Sequence, residues 1–343
     1  MFKNCTNATH TLALKACAKL RDRERGIRIH RQLSSHALQG PFIQTSLIHF
    51  YMQCHDIDHA QQIFSAIGRK TIFMYGALFK GYVSNDMPEK VLELFDEMPI
   101  EPDEVIITIL FNACAKLANT HAVKLGKDVL NRLPTAVFQH HKLVNSAIDM
   151  LMKFADVAHA EHLFQLIKNK SIVTYGAMMQ GYVMNDMSEK ALNLFEEVSF
   201  KSNEVLYAIV FSACVSLSNE RAIQFGKKLL HQMPTMFLDD VVVINSAIHM
   251  LMKFGEVEDA ECLFSRMKKR NLYTYGVMMN GYNLNDESHK CLKLFQQIKQ
   301  QNITLNEPLS MSLIGACSQI GMRSICRNIV DQIPNHVGIT EKR

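Results

Sequence analysis

The sequence predicts an all-α solenoid of about ten helix-turn-helix repeats, and three observations predict it. The first is self-similarity at a 100-residue step: Tyr75-Gly76-Ala77 returns as Tyr175-Gly176-Ala177 and Tyr275-Gly276-Val277, each followed by a Gly-Tyr pair at 81, 181 and 281. The second is that the same step holds elsewhere. It relates Asn145-Ser146-Ala147-Ile148 to Asn245-Ser246-Ala247-Ile248, Met150-Leu151-Met152-Lys153-Phe154 to Met250-Leu251-Met252-Lys253-Phe254, and Ala113-Cys114 to Ala213-Cys214. The third is the apolar spacing inside each hundred. Ala60...Ile63-Phe64, Val91-Leu92...Leu94-Phe95, Ala160...Leu163-Phe164 and Ala191-Leu192...Leu194-Phe195 place apolar residues at i, i+3 and i+4, one helical face.

The elements follow in order. After a short tail over 1–6, helix pairs of 31 to 37 residues are expected to start near 7, 41, 72, 104, 141, 172, 204, 241, 272 and 307. Asp86, Asp186 and Asp286 sit just before second helices, and Glu89 and Glu189 follow the first two at the spacing of a capping box, so these aspartates are expected as N-caps. A helix pair of this size cannot bury its apolar face alone and must stack on its neighbours. With no Pro-, Gly- or Ser-rich linker, residues 7–343 are expected to form a single solenoid. Met150, Met152, Met178 and Met179 fall at first-helix positions whose spacing predicts core filling.

Composition narrows the class. With 48% hydrophobic and 20% charged residues the chain is of folded, soluble type, and its longest apolar run, Val205 to Phe211, is far short of a membrane span, so no membrane partner is expected. The nine cysteines are odd in number and include no CxxC pair, which argues against a disulfide framework or a zinc knuckle and for a reducing compartment. A net charge of +4 does not by itself identify a nucleic-acid binder.

One catalytic signal has to be weighed. His159-Ala160-Glu161 has the HxE form of zinc deaminases, but the PCxxC half of that site is absent, and one super-repeat later the stretch reads Asp259-Ala260-Glu261. His121, His140 and His141 lack partners at ligand spacing. No metal, cofactor or catalytic activity is therefore expected of this chain.

Two families share a helix-pair period of this kind. Tetratricopeptide repeats keep a 34-residue step and open with Trp, whereas this chain has no Trp and varies its step. At Leu14-Lys15-Ala16-Cys17-Ala18 followed by Gly26...Ile29-His30, and at Thr174-Tyr175-Gly176-Ala177 with Gly181-Tyr182, it resembles the PLS class of pentatricopeptide repeat proteins, over residues 7 to 343. The resemblance implies a right-handed superhelix. Its L repeats would start at 7, 104, 204 and 307, its S repeats at 41, 141 and 241, each 31 residues long, and its P repeats at 72, 172 and 272.

The function implied is sequence-selective binding of single-stranded RNA in organellar RNA processing or modification. In that role the chain would be a C-to-U editing specificity factor lacking its own deaminase domain, since it ends at Arg343 soon after a helix expected to close near Ile333. A separate deaminase or other RNA-processing enzyme is then the expected protein partner, and the mitochondrion the expected location, although MFKNCTNATH shows no targeting peptide; without the family the location would be cytoplasmic. The alternative is a tetratricopeptide-like protein-interaction scaffold.

In the family the fifth and last residues of a repeat face one base. Carried across, these are Thr45 with Thr71, Asn145 with Ser171 and Asn245 with Asn271 in S repeats, and Gly76 with Asp103, Gly176 with Asn203 and Gly276 with Asn306 in P repeats. Asn with Ser or Asn implies a pyrimidine, and a small fifth residue with Asp or Asn last implies a purine. The plainer reading makes each Asn a cap and each of these glycines a packing residue. Second residues are expected to sandwich bases at Phe42, Phe73, Val173, Val242 and Tyr273, with Lys142 a departure. Lys19, Lys116, Lys153 and Lys253, at the thirteenth position, are expected near phosphate. L repeats, with Thr11, Thr108, Ala208 and Met311 fifth, are expected to be mainly spacers.

Overall fold

A computed structural model describes residues 6–198, 203–300 and 306–321, with the side chains of 135 and 136 outside that description. The second helix expected to close near Ile333 lies outside the described residues. Contacts divide the chain into two units, residues 1–181 and 182–343.

The first unit is built of α1 (Asn7–Leu20) and α2 (Arg23–Gln32), a short α3 (Ser35–Leu38), α4 (Pro41–Gln53) and α5 (Ile57–Ala66), α6 (Ile72–Ser84) and α7 (Glu89–Asp96), α8 (Glu104–Leu117) and α9 (Thr120–Arg132), α10 (His141–Lys153) and α11 (Val157–Leu166), and the start of α12 (Ile172–Met184). The second unit continues with α13 (Ser188–Glu196), α14 (Glu204–Leu217) and α15 (Glu220–Gln232), α16 (Val241–Lys253) and α17 (Val257–Arg266), α18 (Leu272–Leu284) and α19 (Ser288–Gln300), and α20 (Glu307–Ile320). Among the described residues there is no strand, and each unit is an α-solenoid. First helices begin at 7, 41, 72, 104, 141, 172, 204, 241, 272 and 307.

First helices form the spine. α1 packs on α4, α4 on α6, α6 on α8 and α8 on α10 in the first unit; α14 packs on α16, α16 on α18 and α18 on α20 in the second. Their inward faces carry Phe50, Phe79, Phe111 and Phe211, all fully buried, with Met150, Met152, Met178 and Met179 as expected. Burying a Phe or Met side chain is worth about 1.5–3 kcal/mol, so the spine is where stability concentrates.

The 100-residue step is a step in geometry too. Phe64 meets Tyr75 edge-on with ring centres 5.0 Å apart, Phe164 meets Tyr175 at 5.4 Å and Phe264 meets Tyr275 at 5.8 Å. A cation covers the same phenylalanine each time: Lys70, Lys170 and Arg270. The Gly-Tyr glycine is required by packing. A Cβ on Gly81, Gly181 or Gly281 would fall 2.3, 2.2 or 2.4 Å from the Cγ of Met52, Met152 or Met252.

The turn inside each pair departs from expectation. The residue fourteen after each helix start has positive φ: Arg21, His55, Asp86, Ala118, Ala155, Asp186, Ser218, Gly255, Asp286 and Gly321. Asp86, Asp186 and Asp286 are therefore left-handed turn residues and not N-caps. The residue before α7 is Pro88 and before α13 is Met187, neither with a side-chain cap. Aspartate suits both roles because its short polar side chain tolerates the left-handed region, and the sequence pattern does not separate them.

Candidate nucleic-acid interface

The last residue of a repeat is the N-cap of the next first helix. Asp103 accepts from Ile106 N at 2.9 Å, Asn203 from Leu206 N at 3.1 Å, Asn271 from Thr274 N at 2.9 Å and Asn306 from Leu309 N at 3.2 Å. Ser171 Oγ accepts from Thr174 N at 3.2 Å, and Thr71 precedes α6 without a side-chain cap bond. Capping and facing a ligand are compatible. Using Oδ1 for the cap leaves an asparagine its Nδ2 donors and leaves Asp103 a second acceptor oxygen.

The fifth residue is brought to the same place. A Cβ on Gly76 would lie 3.8 Å from Ile106 Cδ1, and one on Gly276 would lie 3.9 Å from Leu309 Cδ2, each side chain belonging to the turn capped by Asp103 or Asn306. Those are ordinary contacts, so packing does not require glycine at 76 or 276, although helical glycine costs about 1 kcal/mol against alanine. Gly176 lies in α12.

Asn145 and Asn245 are unlike caps. Their Oδ1 atoms are buried and have no hydrogen-bond partner among the described residues, and Asn245 is 3% exposed. A buried acceptor left unpaired costs about 1–3 kcal/mol, so the chain's own hydrogen bonding gives no reason for an amide there. The threonines at this position behave differently. Thr45, Thr11 and Thr108 donate to the carbonyls of Pro41, Asn7 and Glu104, which leaves each hydroxyl an acceptor.

The second positions share one environment. Phe42, Phe73 and Val173 in the first unit and Val242 and Tyr273 in the second are all well exposed, and Lys142 is exposed as well. Val105 and Val205, at the second position of L repeats, join them, and the exposures run from 52% at Val205 to 78% at Phe42. The sequence reading passed over these two valines because it sought base contacts only in S and P repeats; their shared second position was the available signal.

The thirteenth-position lysines divide. Lys116 Nζ donates to Val83 O at 3.0 Å and pairs with Asp86 at 3.3 Å, and Lys153 Nζ pairs with Asp149 at 2.8 Å. Lys19 and Lys253 are exposed and have no partner among the described residues.

The histidines are held locally. His159 Nδ1 lies 2.7 Å from Asp156 Oδ1, as His59 lies from Asp56, and His140 pairs with Glu104 at 3.0 Å. Burial pushes the Asp156 carboxyl up, but hydrogen bonds from Lys127 and His159 outweigh it and hold the group below the ordinary carboxylate range. Among the described residues no three His, Cys, Asp or Glu side chains could hold a metal, and no helix is long and apolar enough to cross a membrane.

Comparison with known proteins bears on the repeats and the fold. The model of the PPR repeat family matches residues 239–284, and that of the PPR repeat matches 73–101, 173–200 and 273–303. Among curated proteins, the chain is 28% identical over 319 residues to the Arabidopsis thaliana pentatricopeptide repeat-containing protein At2g03380, mitochondrial, covering 91% of this chain and 46% of that protein. It is 26% identical over 327 residues to Arabidopsis thaliana CRR2, chloroplastic, covering 92% of this chain and 49% of that one. The chain thus spans about half the length of these relatives. Among solved structures, maize PPR10 covers 96% of this chain and 54% of its own at TM-score 0.64 and 15% identity. PPR10 in complex with an 18-nt psaJ RNA element covers 96% and 55% at TM-score 0.68 and 16% identity. At such identity the likeness is one of fold.

Proposed function

From the premise that the chain is a pentatricopeptide repeat protein, we propose that it binds single-stranded RNA sequence-selectively in an organelle, reading bases with the fifth and last residues of its S and P repeats. The observation that carries the reading is the set of exposed apolar side chains at the second position of seven repeats: Phe42, Phe73, Val105, Val173, Val205, Val242 and Tyr273. Scattered exposed hydrophobics need no explanation. Recurrence at one repeat position does, and flat or branched side chains at that spacing offer every base a stacking surface.

Base choice is taken from the family resemblance, and capping leaves the last residues polar groups with which to make it. Asn145 with Ser171 and Asn245 with Asn271 address a pyrimidine; Gly76 with Asp103, Gly176 with Asn203 and Gly276 with Asn306 address a purine. Thr45 with Thr71 gives contact without preference. Of the thirteenth-position lysines, Lys19 and Lys253 are the two free to meet phosphate. The proposal treats residues 7–343 as one tract of PLS repeats that binds without catalysing and directs a separate deaminase or other processing enzyme. The mitochondrion is the favoured organelle, after relatives named mitochondrial.

The test is selection of a random single-stranded RNA pool on the purified protein at about 0.15 M salt, near physiological ionic strength, with Asn145→Ala and Asn245→Ala alongside. Enrichment of pyrimidine-purine steps three nucleotides apart, each blurred at its pyrimidine by the matching variant, is the expected result. No enrichment, with only weak salt-sensitive binding, overturns RNA reading in favour of a peptide-binding scaffold.

A further inference from the structure

The repeat over 104–140 holds a feature that a spacer does not need. A cavity of about 760 Å³ opens between α6, α8 and the start of α10. Its apolar wall includes Val83, Val105 and Ile109, and Lys80 and Lys142 also line it. Both lysines are exposed and neither has a partner among the described residues. On α8, Thr108 keeps an acceptor oxygen after donating to Glu104 O at 2.6 Å, and Asn112 is an exposed amide with no partner among the described residues.

The neighbouring super-repeat shows which of these are scaffold. Val83, Val105 and Ile109 return as Val183, Val205 and Ile209. Of the polar lining, Glu104, which pairs with His140 at 3.0 Å, returns as Glu204, but four groups do not return: Lys80 becomes Gln180, Thr108 becomes Ala208, Asn112 becomes Ser212 and Lys142 becomes Val242. An array that preserves its packing residues through this step has changed both cations and both base-capable groups, and with Gln180 and Val242 the positive charge is gone. The first copy is thereby distinguished by chemistry and not by fold.

We propose that this cavity is a nucleotide subsite of the L repeat. It takes one residue of the bound RNA, the base against Val105 and Ile109 within reach of Asn112 and Thr108, and its phosphate against Lys80 and Lys142. The complementarity is of charge and of kind: two unpaired cations for a phosphodiester, a branched apolar wall for a base face, and an unpaired amide for a base edge. The inference rests on the RNA-binding reading and contradicts the role of this repeat as a spacer.

The probe is an RNA obtained by the pool selection, synthesised as a series in which each nucleotide in turn is abasic. Loss of discrimination in Asn145→Ala locates the nucleotide read by repeat 141–171, and its neighbour towards the one read by 72–103 is the nucleotide in question. An abasic residue there is expected to weaken wild-type binding about tenfold, within the range of one stacked base, and to weaken Asn112→Ala by less, because that variant has already lost the contact to the base edge and keeps only the apolar wall. The pair Lys80→Gln with Lys142→Val, which copies the next super-repeat on exposed positions, is expected to lower affinity and flatten its salt dependence while the thermal melt stays unchanged. If the abasic neighbour binds as tightly as the parent RNA while an abasic residue opposite Asn145 still weakens binding, the subsite is overturned and the RNA reading stands. If no RNA is enriched at all, both fall.

Discussion

Met52 lies over Gly81 so closely that a Cβ on the glycine would come within 2.3 Å of its Cγ, and the contact recurs between Met152 and Gly181 and between Met252 and Gly281. Because the conflict also reaches Met52 Cβ, at 2.6 Å, swinging the thioether end away does not relieve it. Gly81→Ala is expected to destabilise by about 1–3 kcal/mol, the usual cost of overpacking. Gly76→Ala has only the 3.8 Å contact with Ile106 to meet and is expected to be neutral or to gain up to about 1 kcal/mol, while changing RNA selection at one nucleotide. Urea melts of the two variants decide the first part; a Gly76→Ala as damaging as Gly81→Ala would return that glycine to a packing role.

Ala155 adopts a left-handed conformation at φ 57°, where the next super-repeat has Gly255 at φ 79°. Left-handed backbone costs an L-residue roughly 1–2 kcal/mol, partly offset by the greater freedom of glycine in the unfolded chain. Ala155→Gly is expected to raise the melting temperature by a few degrees. A fall in Tm would mean that the Ala155 methyl contributes more than its backbone costs.

Asn245 buries an amide oxygen without a partner. Asn245→Ala removes that unmet acceptor and is expected to leave stability within about 0.5 kcal/mol of wild type or to raise it, against the 2 kcal/mol or more typical of a disrupted core. Loss of RNA discrimination in a variant that melts like the parent would separate binding from folding.

Burial pushes the Asp56 carboxyl up, yet hydrogen bonds from Arg23 and His59 outweigh it and leave the group below its usual range, as Lys127 and His159 do for Asp156. A carboxyl whose folded pKa is depressed binds its proton less readily than in the unfolded chain, where the value is about 3.9. Its stabilisation is therefore fully present above that pH and lost as pH falls through the folded value. Urea midpoints between pH 6 and pH 3 are expected to drop less steeply for Asp56→Asn with Asp156→Asn than for wild type; parallel curves would deny these pairs a part in acid unfolding.

Burial raises the Cys114 and Cys214 thiols to about 12 and Cys291 likewise to about 12, whereas Cys262 is exposed. The thiolate is the reactive form. Alkylation at pH 8, read by peptide mass spectrometry, is expected to label Cys262 before the other described cysteines and those three only on unfolding. Early labelling of Cys114 would show that α8 opens readily.

The fold was legible because one period repeats at every level: the triplet Tyr75-Gly76-Ala77 and its copies fix the register, and first helices begin at Ile72, Ile172 and Leu272 as that register requires. Asp86 was misread because a cap and a left-handed turn ask for the same short polar side chain. At the candidate site, sequence position located Phe42 and Tyr273 but could not distinguish Lys116, which is spent on Val83 O, from Lys253, which is not. Pairing depends on what α6 places beside α8, and no periodicity records that. The cavity beside Asn112 was invisible for the same reason, since its walls come from three helices.

Among the described residues each first helix packs on the first helices next to it in sequence, α4 between α1 and α6 and α16 between α14 and α18. Among the described residues no packed helix pair joins one end of a unit to the other, so its stability is a sum of interface energies and not a property of the whole. Damage at one interface stays where it is made, and a unit opens from its ends like a zip. An extended ligand lying across several repeats would supply the long-range coupling that the chain lacks, making rigidity itself a consequence of being bound.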